Sequence, residues 1–314
     1  MKNLKINLLT CAGILFLTGL AACGLAPATP TATPTASPTA VPTATATVPP
    51  APIQPMDAQH KLKVGDLQRT YFLHIPAGLN DQQAVPLVFF FHGYQENGSY
   101  ARIYTNLDQI ANANGFIVVY PDGSGSAGSL SWNGSGCCGY ALQNNVDEPA
   151  FVHAILADVE TIARVDAKRT YAAGFSNGAL LSYRLACTMS DTFAAVAPAG
   201  GVLMYAPCQP AQPVSLMHVH GMTDNVVPFD GGGSGIQFPP VKESLAAWTK
   251  LDGCSGAEQV EKNGILTHTT YGTCAPGVSV QLYTIDHIGH TWPSQYVAPI
   301  SQIVWDFFAA HPKP

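Results

Sequence analysis

The sequence predicts an α/β domain in which a mainly parallel central sheet is covered by helices on both faces. Three observations predict it. Strand-like and helix-like segments alternate along most of the chain, the order that builds a parallel sheet. One strand candidate, "PLVFFFH" (86–92), is apolar at nearly every position, as a strand buried on both faces must be. A lone serine, Ser176, stands between Gly174 and Gly178 where a strand-like run passes into a helix-like one.

The elements follow in order. "RTYFLHI" (69–75) alternates as a strand does, and 86–92 is the buried strand. Residues 100–115 read as one helix ended by Gly115, and "FIVVYPDG" (116–123) as a strand entering a turn. Residues 148–164 place Phe151, Ile155, Val159 and Ile162 on one helical face. "RTYAAGF" (169–175) is a strand and 177–189 a helix. Strands at 193–200, 215–221 and 279–285 and helices at 241–251 and 302–311 complete the domain. No internal repeat is evident.

Two processing segments precede this domain. Residues 1–22 carry Lys2 and Lys5, then an apolar run ending Leu20-Ala21-Ala22-Cys23. A positive start, a short apolar core and small residues before a cysteine predict a lipoprotein signal, cut before Cys23 with lipid on its thiol. Residues 23–56 are rich in Ala, Thr and Pro. With no face to bury, they predict an extended tether, ~3.1 Å per residue and up to roughly 90 Å in reach. The catalytic-type domain is expected over 57–314. Removing Lys2 and Lys5 takes the net charge from −6 to −8, and no basic run interleaves with aromatics, so nucleic acid is excluded as a partner. The expected partners are a substrate and, through Cys23, a membrane.

Beyond Cys23 there are six cysteines, an even count that outside the cytoplasm predicts disulfides. Closeness in sequence pairs Cys187 with Cys208 and Cys254 with Cys274, leaving adjacent Cys137 and Cys138 for a vicinal bridge.

Ser176 sits in the strand–turn–helix setting in which G-x-S-x-G forms a nucleophile elbow. The glycines at ±2 spare the tight turn a collision, and the N–H of Asn177 faces an oxyanion. The bland reading of the same serine is a helix N-cap. A serine hydroxyl needs a base, and the base an orienting acid. In the α/β-hydrolase order these follow as Asp or Glu, then His, on loops after later strands. The loop after 215–221 offers Asp224, with Asp230 further out; the loop after 279–285 offers His290, with His287 as its rival. Asp224 and His290 are the expected pair. The second oxyanion donor is expected from the loop after 86–92, at the amide of Tyr94.

Two further signals fail. Gly123, Gly125 and Gly128 match G-x-G-x-x-G, but no helix follows them, so no dinucleotide site is expected. His218 and His220 share a strand face without a third ligand, so no metal is expected; they read as core or supporting residues.

The blocks "FFFHGYQENG", "WNGSGCCGYA", "YAAGFSNGALLSYRLAC", "HVHGMTDNVVPFDGG" and "GHTWP" together resemble the esterase family that groups poly(3-hydroxybutyrate) depolymerases with feruloyl and acetylxylan esterases, in its lipoprotein esterase-like branch. The resemblance covers nearly all of 60–312. It implies an α/β-hydrolase fold, with Ser176 as nucleophile, Asp224 as acid, His290 as base and no cofactor. Two departures lie near the expected acyl pocket. Tyr94 stands before Gln95, where the family usually has a small residue or cysteine. "VDEPAF" replaces two acids followed by Val-Gly.

The expected function is a secreted, membrane-tethered serine esterase acting on feruloyl or acetyl esters of plant polysaccharide. Trp132 and Trp292 are expected as stacking walls beside the substrate. The alternatives are an extracellular polyhydroxyalkanoate depolymerase and, in another class, a non-catalytic surface binding protein.

Overall fold

The computed structural model describes residues 52–293 and 296–313. The signal segment, Cys23 and most of the tether lie outside the described residues. The last stretch assigned to the tether belongs to the folded part. Ile53 is buried and its amide donates to Leu79 O (3.0 Å), and the first strand, β1, begins at Met56.

Among the described residues one sheet of ten strands forms. In chain order the strands are β1 (Met56–Val64), β2 (Leu67–Ile75), β3 (Val85–Phe91), β4 (Ile117–Pro121), β5 (Val165–Phe175), β6 (Ala195–Ala199), β7 (Ser215–Gly221), β8 (Ser255–Asn263), β9 (Leu266–Thr273) and β10 (Val280–Ile285). They lie side by side as β1-β2-β4-β3-β5-β6-β7-β10-β9-β8. The run from β4 to β10 is parallel. An antiparallel pair flanks it on each side.

The apolar run of β3 explains the layering. Leu87, Phe89 and Phe91 enter one core with Phe151 and Val152 of α4 (Glu148–Glu160), Leu180 and Leu181 of α5 (Asn177–Thr188) and Trp248 of α6 (Val241–Leu251). Val88 and Phe90 enter the opposite core with Ala101 of α1 (Gly98–Thr105), Leu107 and Ala111 of α2 (Leu107–Asn114) and Val304, Trp305 and Phe308 of α7 (Ile300–Ala310). Alternation along a strand sends side chains to opposite faces, so a strand covered on both faces is apolar throughout.

Several elements differ from the sequence reading, β1 among them. The single helix expected over 100–115 is two, because Asn106 adopts the left-handed conformation (φ 54°) and ends α1 as α2 begins. A short helix, α3 (Gly139–Gln143), forms in the cysteine loop. The hairpin β8–β9 was not expected. Every residue of β8 is exposed and it borders only β9, so no burial pattern marks it. Among the described residues no helix is long and apolar enough to cross a membrane.

Candidate active site

Chain order reverses at β3: β4 lies on one side of it and β5 on the other. Ligands of open α/β sheets bind at such a switch point, outside the carboxyl ends of the strands. The loop carrying Tyr94 follows β3, and Ser176 follows β5.

Ser176 is held at φ 54°, ψ −117°, with its amide donating to Ala199 O (2.9 Å) on the neighbouring strand. The turn is tight enough that a methyl group on Gly174 would stand 2.4 Å from Gly178 O, and one on Gly178 would stand 2.1 Å from Phe91 O. Ser176 therefore heads α5 without capping it: its side chain makes no cap hydrogen bond. Its hydroxyl donates instead to His290 Nε2 (2.8 Å), and His290 Nδ1–H donates to Asp224 Oδ2 (2.7 Å). A carboxylate only accepts, which fixes this tautomer.

Asp224 is buried, and its Oδ1 accepts from the amides of Val226 (2.9 Å) and Val227 (2.8 Å). Burial opposes its ionisation, but the His290 hydrogen bond and charge, with these two amides, outweigh it and hold the carboxyl below the usual range. The loops after β7 and β10 are joined where Thr223 N donates to Ile288 O (2.9 Å), which brings acid and base together. The rivals lie elsewhere: Asp230 and His287 are exposed and outside this chain of bonds.

A buried relay supports Asp224 from below. His220 Nε2 donates to Val227 O (2.8 Å), so neutral His220 accepts at Nδ1 from His218 Nε2 (3.0 Å). His218 Nδ1 then accepts from the Tyr183 hydroxyl (2.8 Å). Burial pushes both histidines below their ordinary range and keeps them neutral, as the relay requires. His220 Nε2 also lies 3.6 Å from Asp224 Oδ2.

The Asn177 and Tyr94 amides are the two donors expected from the sequence for an oxyanion. The Asn177 N–H heads α5, outside the helical bonding pattern. The loop carrying Tyr94 is pinned on both sides, with Gly93 N donating to Glu96 Oε2 (2.8 Å) and Gln95 N donating to Leu130 O (2.9 Å). Beneath it His92 is buried. Its Nδ1–H donates to Gly93 O (2.7 Å) and its Nε2 accepts from Gly123 N (2.9 Å). Burial pushes this imidazole down to about 4, so it stays neutral.

Trp132 is not a stacking wall. It has no exposed surface, and its indole N–H donates to His92 O (2.9 Å) while its ring meets Phe91 edge-on. The reason is the Asn177 side chain, which the sequence reading missed. Its Oδ1 accepts from Trp132 N (2.6 Å), and its Nδ2 donates to Trp132 O (3.1 Å) and Cys137 O (2.8 Å). This clamp draws the whole loop down onto α5. Trp292 borders a cavity of about 230 Å³ beside His290, together with Glu96, Tyr100, Tyr104 and Phe175. It is only 5% exposed, because its indole N–H donates to Ser301 Oγ and its ring packs on Phe90. Tyr100 and Tyr104, unmarked by any motif, supply aromatic surface there. The expected cysteine pairs are present: 137–138, 187–208 and 254–274.

Known proteins resemble the chain in sequence and in fold. It is 30% identical to probable feruloyl esterase C of Aspergillus niger, over 77% of this chain and 84% of that one. It is 30% identical to feruloyl esterase B of Piromyces equi, over 71% of this chain but 42% of that one. With a bifunctional acetylxylan esterase/xylanase of Neocallimastix patriciarum it shares 26% identity over 75% of this chain and 32% of that one. The chain thus spans less than half the length of these last two. An acetyl xylan esterase from Aspergillus awamori superposes with a TM-score of 0.59 at 17% identity, covering 80% of this chain and 99% of that one, which shows the shared fold. Residues 69–253, the span from β2 to the end of α6 that carries Ser176 and Asp224, match the family described as esterase PHB depolymerase, and the chain belongs to that family.

Proposed function

We propose that the protein is a carboxylic ester hydrolase working through an acyl-enzyme on Ser176. The observation that carries this reading is the unbroken hydrogen-bonded chain Ser176–His290–Asp224 at the sheet's switch point. His290 Nε2 takes the proton of Ser176 as Oγ attacks the ester carbonyl. Asp224 steadies the imidazolium, and the amides of Tyr94 and Asn177 receive the oxyanion. The imidazolium then protonates the departing alcohol. Water, activated by the same nitrogen, releases the acid. His218 and His220 hold the Asp224 loop and exchange no proton with substrate. The chain's own residues supply every step.

The substrates proposed are feruloyl or acetyl esters on plant polysaccharide, in keeping with the names of the relatives. Tyr100, Tyr104, Phe175 and Trp292 around His290 favour a planar acyl group. The family's own description keeps polyhydroxyalkanoate ester as the second reading. The three disulfides agree with an oxidising compartment outside the cytoplasm, and we place the chain there, anchored by lipid on Cys23. Intact-mass measurement of the mature N-terminus tests the anchor, and an unmodified Cys23 refutes it.

Labelling with a fluorophosphonate should modify Ser176 alone, and Ser176→Ala should abolish both labelling and hydrolysis while the protein stays folded. Near-normal turnover by that variant overturns the mechanism. A panel of methyl ferulate, acetylated xylan, short aryl esters and amorphous polyhydroxybutyrate ranks the substrates.

A further inference from the structure

A cavity of about 590 Å³ lies beyond the one beside His290 and is the larger of the two. Part of its lining is Gly123, Ser124, Gly125 and Ser126, from the run that mimics a dinucleotide motif. The loop is folded back on itself by paired hydrogen bonds between Ser124 and Ser131 (2.9 and 3.0 Å). A methyl group on Gly123 would lie 2.7 Å from Ser131 O, and one on Gly125 would lie 2.6 Å from Ser129 O. The glycines therefore close a turn, and no helix follows the glycine run as a dinucleotide site requires.

What lines the cavity is hydroxyl, amide and aromatic ring. Ser124, Ser126, Ser129 and Gln143 supply the polar groups, and Tyr94 and Tyr140, each 40% exposed, supply the rings. The lining holds no carboxylate. Its one cation, Arg69, is buried and its charge is paired by Glu148: Nη2 donates to Glu148 Oε2 (3.0 Å) and Asp122 O (3.2 Å), and the guanidinium lies 3.9 Å from the Phe151 ring centroid. Two lining residues keep buried polar atoms with no protein partner, namely Ser124 Oγ and Arg69 Nε and Nη1. The size falls within the ~300–1,000 Å³ of small-ligand sites. A neutral, hydroxyl-rich ring that stacks on tyrosine matches this lining; a phosphate lacks a free cation here.

Tyr94 joins this cavity to the reaction centre: its amide is the second oxyanion donor proposed above, and the residue lines the cavity. We propose that the cavity is a glycosyl subsite, holding a neutral sugar residue of the polysaccharide whose ester is cleaved. This rests on the ester-hydrolase reading above and adds where the carbohydrate sits.

The test compares esters with and without sugar. Tyr140→Ala should lower kcat/KM for a feruloylated or acetylated xylo-oligosaccharide about three- to tenfold, the range of one aromatic stacking contact. Methyl ferulate and a short aryl ester should change less than twofold. Ser126→Trp, which places bulk in the cavity from an exposed position, should give the same selective loss and serves if Tyr140→Ala does not fold. In calorimetry, unesterified xylo-oligosaccharide should bind Ser176→Ala saturably, and more weakly when Tyr140→Ala is added. Equal losses on both ester types, or binding of inorganic phosphate or a dinucleotide in place of the oligosaccharide, overturn the subsite. If wild type hydrolyses aryl esters but shows no oligosaccharide binding and no preference, the subsite fails and the hydrolase reading stands. If oligosaccharide binds and no ester is cleaved, the hydrolase reading fails instead.

Discussion

Ser176 sits at φ 54° and ψ −117°, a backbone conformation that costs a residue bearing a side chain about 1–3 kcal/mol. Ser176→Ala keeps the Cβ and the strain; Ser176→Gly removes both. Both variants should be inactive, yet Ser176→Gly should be the more stable by about 1 kcal/mol after allowing for glycine's extra freedom when unfolded. Denaturant titration of the two variants measures the difference, and equal midpoints would show that the turn stores no strain. Asn177 makes the opposite case. Its side chain satisfies three buried backbone groups of the 132–138 loop, so Asn177→Ala should cost about 1–3 kcal/mol of stability. It should also lower kcat about tenfold or more, because the loop under Tyr94 loses its seat. The serine, acid and base were legible because an elbow and a chain order can be read from spacing. The role of Asn177 was not, since residue identity at that position gives no sign that residues 132–138 fold back over it. The same blindness made Trp132 look like a surface aromatic.

At the scale of elements, two junctions carry predictions. Arg69 of β2 and Glu148 at the start of α4 form a buried ion pair. Burial pushes Glu148 up, against the pull of Arg69 and the Asn133 amide. Arg69→Met strands that carboxyl and should cost about 3–5 kcal/mol, read as a fall in Tm. Asp252, at the end of α6, accepts from Val214 N (3.3 Å) with one oxygen, and the other makes no hydrogen bond among the described residues. Burial raises its carboxyl to about 7, against roughly 3.9 when unfolded. Between those values the native state keeps a proton that the unfolded chain has lost, so stability falls as pH rises from about 4 to 7. Asp252→Asn should therefore raise Tm at pH 8 and leave it nearly unchanged at pH 4, with a linkage ceiling of about 4 kcal/mol. An equal shift at both pH values would contradict this account. Elements with one buried face or two announce themselves by period, which is why β7 and α6 match the sequence reading at both ends. The break at Asn106 leaves the helical period almost intact and shows only in one backbone angle. β1 alternates and was readable in principle, as Met56, Ala58, His60, Leu62 and Val64 face inward; it was hidden by the tether assigned to its first residue.

For the whole molecule, the six cysteines of the described domain are all paired. The 187–208 and 254–274 bridges each close about 20 residues, worth about 3 kcal/mol apiece in the chain-entropy account. Cys187→Ser with Cys208→Ser should lower stability by that order, and peptide mapping without reductant should recover both linkages in wild type. The first bridge ties the last turn of α5, whose opposite end carries the Ser176 turn, so its loss should reduce activity as well. The second lies at the base of the β8–β9 hairpin, far along the sheet from β3, so its loss should reduce stability alone. Fold class was legible at this scale because burial on both faces of a sheet leaves continuous apolar runs. The large cavity was not, because it forms only when the glycine loop and the cysteine loop meet.

Among the described residues β8 leaves a nine-residue backbone edge with no strand beyond it. Such an edge is a template for strand addition by a second copy. What guards it is charge: Glu258 and Glu261 would face their own kind in an edge-to-edge pair. That guard depends on the solvent. In about 1 M salt, where charges are felt over only about 3 Å, the colloidal behaviour should change before the fold does. A Glu258→Thr, Glu261→Val double variant should then self-associate at neutral pH and low salt, visible as light scattering at a temperature well below its Tm.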